Sequence, residues 1–200
     1  MTLALVGLAA GMVHVLSGPD HLAAIAPYGV TDKARSWRTG VRWGLGHSAG
    51  VLGVGLLVLV ARYALPVEAL SAHSELGVGL ALIVIGVSGM RIALRHDHAG
   101  PRGDEHQHGH GRAAMAVGTL HGLAGSSHLL GIVPALALPS DGAAVAYLLC
   151  FGAGSVAAMG AFASFVGWIA DRWGPGAQRT LLGLCSGLAV LVGGHWLLSR

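Results

Sequence analysis

Six long apolar segments divide this chain, and they restrict its possible folds more than any other feature of the sequence. Each is roughly 20 residues or longer, which is the length that a helix needs to cross the hydrocarbon core of a bilayer. Only 10% of the 200 residues are charged, whereas soluble domains carry about 25%. We therefore expect an all-α polytopic membrane protein with six transmembrane helices. The segments lie near residues 2–29, 40–62, 75–95, 113–138, 142–170 and 177–198.

The basic residues lie mainly on one side of these segments. Ten of the twelve lie in or next to the connections on one side, and only Arg62 and Arg200 lie opposite. The positive-inside rule therefore places the ten in the cytoplasm and both termini outside, for a protein of the cytoplasmic (inner) membrane. The ten are Lys33, Arg35, Arg38, Arg42, Arg91, Arg95, Arg102, Arg112, Arg172 and Arg179.

Residues near the segment ends agree with this topology. No Lys or Arg precedes Lys33, so a cleaved signal peptide is not indicated and the first segment is expected to stay in the mature protein. Tryptophans at the ends of the segments are expected to form aromatic belts at the two interfaces. Four lie at the cytoplasmic ends and one at the outer end, namely Trp37, Trp43, Trp168 and Trp173, and Trp196.

The first and fourth segments carry the same motif. The stretch HVLSGPDHLAAIAP at 14–27 aligns with HGLAGSSHLLGIVP at 121–134, and seven of the fourteen positions are identical. The second segments of the two halves also correspond, because WGLG at 43–46 aligns with FGAG at 151–154. Each half holds three spans, an odd number, so the halves would insert in opposite orientations. This inverted three-plus-three repeat is an architecture of secondary transporters, although a repeat with a purely structural role is the alternative.

The repeat gives the domain organisation. We predict a first three-helix repeat at 1–95, a His-rich cytoplasmic loop at 96–112 and a second three-helix repeat at 113–200. Together they would form one membrane domain. In this arrangement the first and fourth helices are broken, near Gly18 and Gly125, and the functional site lies where the two breaks meet.

The first break contains residues that bind metals. Pro19 removes a backbone donor and Gly18 has a low helix propensity, so local unwinding is expected there. Unwinding would bring the side chains of His14, Asp20 and His21 toward one point. A carboxylate near the middle of a membrane costs about 2.5–3.5 kcal/mol on insertion scales, which favours a functional role over packing.

Six residues are the candidate metal ligands. His47 joins the histidines of the two breaks because RWGLGHSAG, at 42–50, has glycines that would let its helix approach closely. A set rich in imidazole with one carboxylate suits Ni(II), Co(II), Zn(II) or Cu(II) better than Ca(II) or Mg(II). The predicted ligands are His14, Asp20, His21, His47, His121 and His128.

These motifs also resemble those of a known family. HVLSGPDHLAAI, WGLGHSAG and GTLHGLAGSSHLLGIVP look like the membrane motifs of the nickel/cobalt transporter superfamily, especially its short six-span, urease-accessory-type branch. The resemblance implies that His14, Asp20 and His21 bind the transported metal and that His47 matches the histidine of the second motif. It also implies nickel as the first substrate, since ligand type alone leaves several divalent ions open.

The longest hydrophilic stretch is RHDHAGPRGDEHQHGHGR, at 95–112. Its alternation of histidine with small and polar residues is typical of a flexible metal-binding tract. The sequence predicts a cytoplasmic acceptor, buffer or sensor for the same ion, and a solvated linker is the alternative. The histidines of this tract are His96, His98, His106, His108 and His110.

We therefore predict a secondary transporter for a divalent transition-metal ion, with Ni(II) or Co(II) as substrate, acting without a cofactor. Its partners would be the ion, the lipid bilayer and a cytoplasmic metal acceptor, with no nucleic acid. The alternatives are a non-transporting membrane metal sensor, or a carrier or exporter for another divalent metal such as zinc. An enzyme is not expected, because a metalloprotease motif such as HExxH is absent and Cys150 and Cys185 lie far apart.

Overall fold

The computed structural model describes residues 2–31, 35–61, 67–94, 105–123 and 126–198, and the regular secondary structure in these ranges is helical. The eight helices are α1 (Thr2–Ser17), α2 (Pro19–Thr31), α3 (Ser36–Ala61), α4 (Val67–Leu94), α5 (Glu105–Leu123), α6 (Ser126–Leu136), α7 (Asp141–Arg172) and α8 (Gly174–Leu198). The all-α fold class predicted from the sequence is confirmed for this part of the chain.

The outer surface and the helix lengths identify a membrane protein. Among the described residues, α7 and the Gly174–His195 part of α8 are long and apolar enough to cross a membrane, and α1 with α2 would make a third span. Large apolar side chains, including Leu5, Val84, Leu184 and Leu191, are exposed on the surface. Such a surface suits contact with lipid rather than with water. The six spans predicted from the sequence stay a prediction.

The first apolar segment is broken at Gly18, as its sequence predicts. Helix α1 ends at Ser17, α2 begins at Pro19, and the two axes differ by 76°. Proline disfavours helical backbone at the residue before it, yet it fits the first position of a helix, where no N–H bond is needed. In the second half, the corresponding helix α5 ends at Leu123, and α6 begins at Ser126.

Glycines bring α1 against α7. A Cβ atom on Gly7 would lie 2.7 Å from the carbonyl oxygen of Tyr147, and one on Gly11 would overlap the carbonyl of Phe151. The hydroxyl of Ser155 donates a hydrogen bond of 3.3 Å to the Gly11 carbonyl. Because the second contact lies four residues further along both helices than the first, α1 and α7 run parallel.

The same kind of contact joins α3 to α5. A Cβ atom on Gly118 would overlap the Trp43 carbonyl and approach His47, and one on Gly46 would overlap the Met115 carbonyl. Gly118 aligns with Gly11 in the sequence repeat, and Trp43 aligns with Phe151. The α3–α5 contact therefore corresponds, residue by residue, to the α1–α7 contact.

Helices α3 and α7 cross between these two pairs and run antiparallel. Gly152 lies against Ser48, whereas Gly160, further along α7, lies against Val41, which comes earlier on α3. The Ser48 hydroxyl fixes this alignment by donating a hydrogen bond of 3.0 Å to the Gly152 carbonyl. The centre of the fold is therefore held by backbone contacts that allow little separation of the helices.

The tryptophans divide into two groups. Trp37, Trp168 and Trp173 are at least half exposed, which suits an interfacial belt, but Trp43 is 0% exposed. The assignment of Trp43 to the belt was wrong, because its face of α3 packs against α5. The side chain of Trp196 lies outside the described residues.

Helix α5 begins at Glu105, inside the segment expected to be a His-rich loop. His106, His108 and His110 therefore lie on helical backbone, while His96 and His98 fall outside the described residues. The two cysteines, Cys150 and Cys185, are free and partly buried, in keeping with packing residues.

Candidate metal site at the helix break

Five of the six predicted ligands lie together in the core. His14 comes from the end of α1, Asp20 and His21 from the start of α2, His47 from α3 and His121 from α5. His128 lies on α6, and its side chain is outside the described residues. Elements that are distant in sequence are thus brought to the break at Gly18.

The side chains form two groups that could hold a metal ion. One group is His14, His21 and His47, and the other is Asp20, His21 and His121. In each group the ligand atoms lie within 4.8 Å of one another. Two nitrogens bound to one ion at roughly 2.0–2.1 Å can be no more than about 4.2 Å apart, so ligand atoms at the upper end of this range would have to move closer together to hold one ion.

Asp20 connects the two groups. The His21 Nδ1–H donates a hydrogen bond of 3.1 Å to Asp20 Oδ1. The other carboxylate oxygen, Oδ2, lies 2.9 Å from Nε2 of His121. In neutral His21 the proton on Nδ1 leaves the lone pair on Nε2, the form in which a carboxylate orients an imidazole toward a metal.

The sequence around the break places these two side chains. A Cβ atom on Gly18 would overlap Nδ1 of His21 and lie 2.9 Å from Asp20 Oδ1. Asp20 lies in the first turn of α2, directly after Pro19. The positive end of the helix dipole stabilises a carboxylate at that position. Glycine at position 18 is therefore needed for the His21 and Asp20 side chains to fold over the break.

The site is closed to solvent over most of its surface. Asp20 is 6% exposed and His21 only 1%, while His47 and His121 are 0% exposed. His14, on the α1 side, is partly buried. Burying a carboxylate is unfavourable unless polar groups compensate, and the imidazoles beside Asp20 supply that compensation.

Four rings form a column through the site. The Phe151 ring centroid lies 5.3 Å from that of His14, and the His14 ring stacks on His47 at 5.7 Å. His47 in turn stacks on Trp43, also at 5.7 Å. The column thus has imidazoles in its middle and apolar rings at its ends.

Trp43 and Phe151 are the site residues that the sequence analysis missed. Trp43 also lies 5.1 Å from His121, measured between ring centroids. Two signals could have found them: Trp43 precedes His47 by one helical turn, so the two share a face, and Phe151 occupies the corresponding position in the second half. Trp43, in the first repeat, thus lies beside His121 of the second repeat, and Phe151, in the second repeat, lies beside His14 of the first.

The remaining histidines do not extend this cluster in the described part of the chain. His195 is exposed near the end of α8. The side chains of the His-rich segment lie outside the described residues, so their predicted metal-binding role stays a prediction.

The fold and the site together define an all-helical membrane protein with a buried His/Asp cluster at a helix break. The chain is similar to three curated proteins. It is 38% identical to Chloroplast protein FOR GROWTH AND FERTILITY 1 of Arabidopsis thaliana and 37% identical to FOR GROWTH AND FERTILITY 2, with 84% of this chain covered in each case. It is 26% identical to the urease accessory protein UreH of Bacillus sp. (strain TB-90), over 80% of this chain.

The extent of these similarities differs. The alignments span 50% and 47% of the two chloroplast proteins, so the chain covers about half of their length. They span 74% of UreH. No family model matches the chain, and no solved structure matches it. The similarity to a urease accessory protein agrees with the resemblance carried by the sequence motifs.

Proposed function

We propose that the protein is a secondary transporter for a divalent transition-metal ion, with Ni(II) or Co(II) as its substrate. The observation that carries the proposal is the convergence of four imidazoles and one carboxylate at the break between α1 and α2. Such groups are costly inside a membrane unless they bind an ion or one another. The ion is the substrate in this scheme, and the protein is not an enzyme and uses no cofactor.

The ligand set favours borderline transition metals. Imidazole nitrogen suits Ni(II), Co(II), Zn(II) and Cu(II), whereas the described cluster contains no thiolate that would favour Cu(I). In our proposal His14, His21 and His47 hold the ion, and Asp20 offsets part of its charge. His121 supports Asp20 from the second half, and His128 is a further ligand of that half. We propose nickel as the preferred substrate because of the motif resemblance and the similarity to a urease accessory protein.

The transport path would lie between two inverted repeats. The correspondence of the Gly11–Phe151 contact with the Gly118–Trp43 contact supports a twofold relation between the halves. The parallel pairs α1–α7 and α3–α5, with α3 and α7 antiparallel, agree with six spans that alternate in direction, and the charge pattern places the termini outside in this proposal. We propose an inner-membrane location with the 96–112 segment in the cytoplasm, where its histidines would bind the ion as an acceptor, buffer or sensor.

Flux through sealed vesicles tests this proposal. The purified full chain would be reconstituted into proteoliposomes, and uptake of nickel, cobalt, zinc and manganese would be compared under an imposed proton gradient. We expect saturable nickel or cobalt flux that is lost in His21→Ala and kept in His195→Ala, an exposed control. Metal binding without flux would instead identify a membrane sensor, and zinc flux alone would reassign the substrate.

A further inference from the structure

We infer that Trp43 and Phe151 are the two gates of the ion site and close it toward opposite faces of the membrane. This inference rests on the proposed transport function. The two residues end the column of four rings, with His14 and His47 between them. An ion held by these imidazoles could leave along the column only if one of the end rings moved.

The two rings lie at different depths. Trp43 precedes His47 by four residues, which places it about 6 Å nearer the start of α3. Because α3 and α7 run antiparallel, with Gly152 beside Ser48, Phe151 lies at the level of the residues that follow His47 on α3. The His47 ring therefore lies between the levels of the two apolar rings.

Each gate contact joins one half of the chain to the other. Trp43, in the first half, contacts His121 of the second at 5.1 Å, and Phe151, in the second half, contacts His14 of the first at 5.3 Å. In the sequence repeat, Trp43 corresponds to Phe151 and His14 corresponds to His121. A relative movement of the halves would therefore loosen one contact while the equivalent contact stays closed, as alternating access requires.

Both rings can move without breaking a hydrogen bond. The Trp43 indole N–H is buried and has no hydrogen-bond partner in the part of the chain that the structure describes. Phe151 has no polar side-chain atom. By contrast, the neighbouring Ser155 holds α7 against α1 through its hydrogen bond to Gly11. Movement of either ring would therefore break packing contacts but no hydrogen bond.

The histidines beside the two end rings differ in exposure. His121, beneath Trp43, is 0% exposed, whereas its counterpart His14, beside Phe151, is partly buried. A Cβ atom on Gly131 of α6 would lie 2.6 Å from the Phe151 ring, so this glycine makes room for the ring. Both end rings are themselves buried, with Trp43 0% and Phe151 1% exposed, so the structure corresponds to a state that is closed at both rings.

Thiol labelling from each face tests the assignment without any metal. A full chain carrying Cys150→Ala, Cys185→Ala and the reporter His47→Cys would be labelled with a membrane-impermeant reagent in spheroplasts and in inside-out vesicles. We expect Phe151→Ala to raise the labelling rate about tenfold from one face and Trp43→Ala to raise it similarly from the other, as a shift of population toward one open state predicts. In the proposed topology these are the outer and cytoplasmic faces, respectively.

Matched controls separate gating from general loosening. Trp37→Ala, on the same helix, and Phe165→Ala, on α7, remove exposed rings and should leave labelling unchanged. Trp43→Leu and Phe151→Leu keep part of the buried volume, and serve if an alanine variant is not monodisperse. Increased labelling from the same face for both gates, or no increase above the controls, would overturn the inference. Because the assay needs no metal, its outcome is independent of the flux assay for the proposed function.

Discussion

The Asp20 carboxylate lies 2.9 Å from Nε2 of His121, so the first helix break and the second half of the chain meet at a buried charged group. The same carboxylate accepts a hydrogen bond from His21. One side chain thus orients imidazoles from both halves. No second carboxylate occupies the equivalent position, which is Ser127 in the sequence, so Asp20 is the group whose replacement should be most informative.

Replacing Asp20 with asparagine should reduce metal flux strongly while the protein still folds. The amide keeps the shape of the side chain but cannot offset the charge of the ion or accept from an imidazole at both ends. We expect a loss of about 10- to 100-fold, as for other groups that orient metal-binding histidines. Uptake into vesicles is the measurement, with Asp171→Asn on the exposed end of α7 as control. Normal flux in Asp20→Asn would contradict the assigned role.

Loss of a single cluster histidine should weaken metal binding. His47→Ala removes a ligand of one group, and His121→Ala removes a ligand of the other. Calorimetric titration with nickel should show a larger loss for His47→Ala if the ion is held by the His14, His21 and His47 group. The opposite order would assign the ion to the Asp20, His21 and His121 group. His195→Ala should match the unmodified protein.

Acidification should weaken nickel binding. Ligation requires neutral imidazole, so each proton that the metal displaces makes the logarithm of the affinity rise with pH. Nickel affinity should therefore increase as pH rises and decrease as pH falls. Affinity measured across a pH series is the test, and His14→Ala should lower the affinity throughout the series because one ligand is gone. A flat profile in the unmodified protein would show that metal binding displaces no proton from the ligands and would contradict this prediction.

Gly18→Ala should impair the site more than the fold. The added methyl group would overlap His21 Nδ1 and crowd Asp20, so both side chains must move. We expect metal affinity to fall at least about tenfold, in the range produced by disturbing groups that orient ligands. The control is Gly53→Ala on α3, where a Cβ would meet no atom within 4 Å. Equal affinity in the two variants would show that the break tolerates a side chain.

Replacing the five histidines of the hydrophilic segment should leave transport possible. If His96, His98, His106, His108 and His110 buffer or sense the ion, their replacement by glutamine changes the dependence of flux on metal concentration. It should not abolish flux, because these residues are separate in sequence from the break. Initial rates across a nickel series make the comparison. A loss as complete as that in His14→Ala would instead place the segment in the transport path.

Much of the arrangement could be predicted from local sequence. Gly18 has a low helix propensity and Pro19 disfavours helical backbone at the residue before it, so the break could be located before any contact was known. His14, Asp20 and His21 lie close to the break in sequence, and the repeat identified His121. The topology inferred from charge stays a prediction, and it rests on the bias that Lys and Arg exert on insertion.

Only the tertiary structure could decide which side chains share the site. A tryptophan near a segment end has the same sequence signal whether it faces lipid or the core, so Trp43 could be assigned only once α5 was seen against its face of α3. The helical start of α5 at Glu105 was likewise hidden by a polar composition typical of loops.

The sequence by itself therefore determined the apolar segments, the position of the break and the chemistry of the candidate ligands, since these depend on residue type and short-range backbone geometry. The tertiary structure decided that Asp20 joins His21 to His121 and that Trp43 and Phe151 end the ring column. Those relations depend on how closely α3 approaches α5 and α1 approaches α7. The approach is set by glycines that meet backbone atoms more than 60 residues away, as Gly118 meets Trp43.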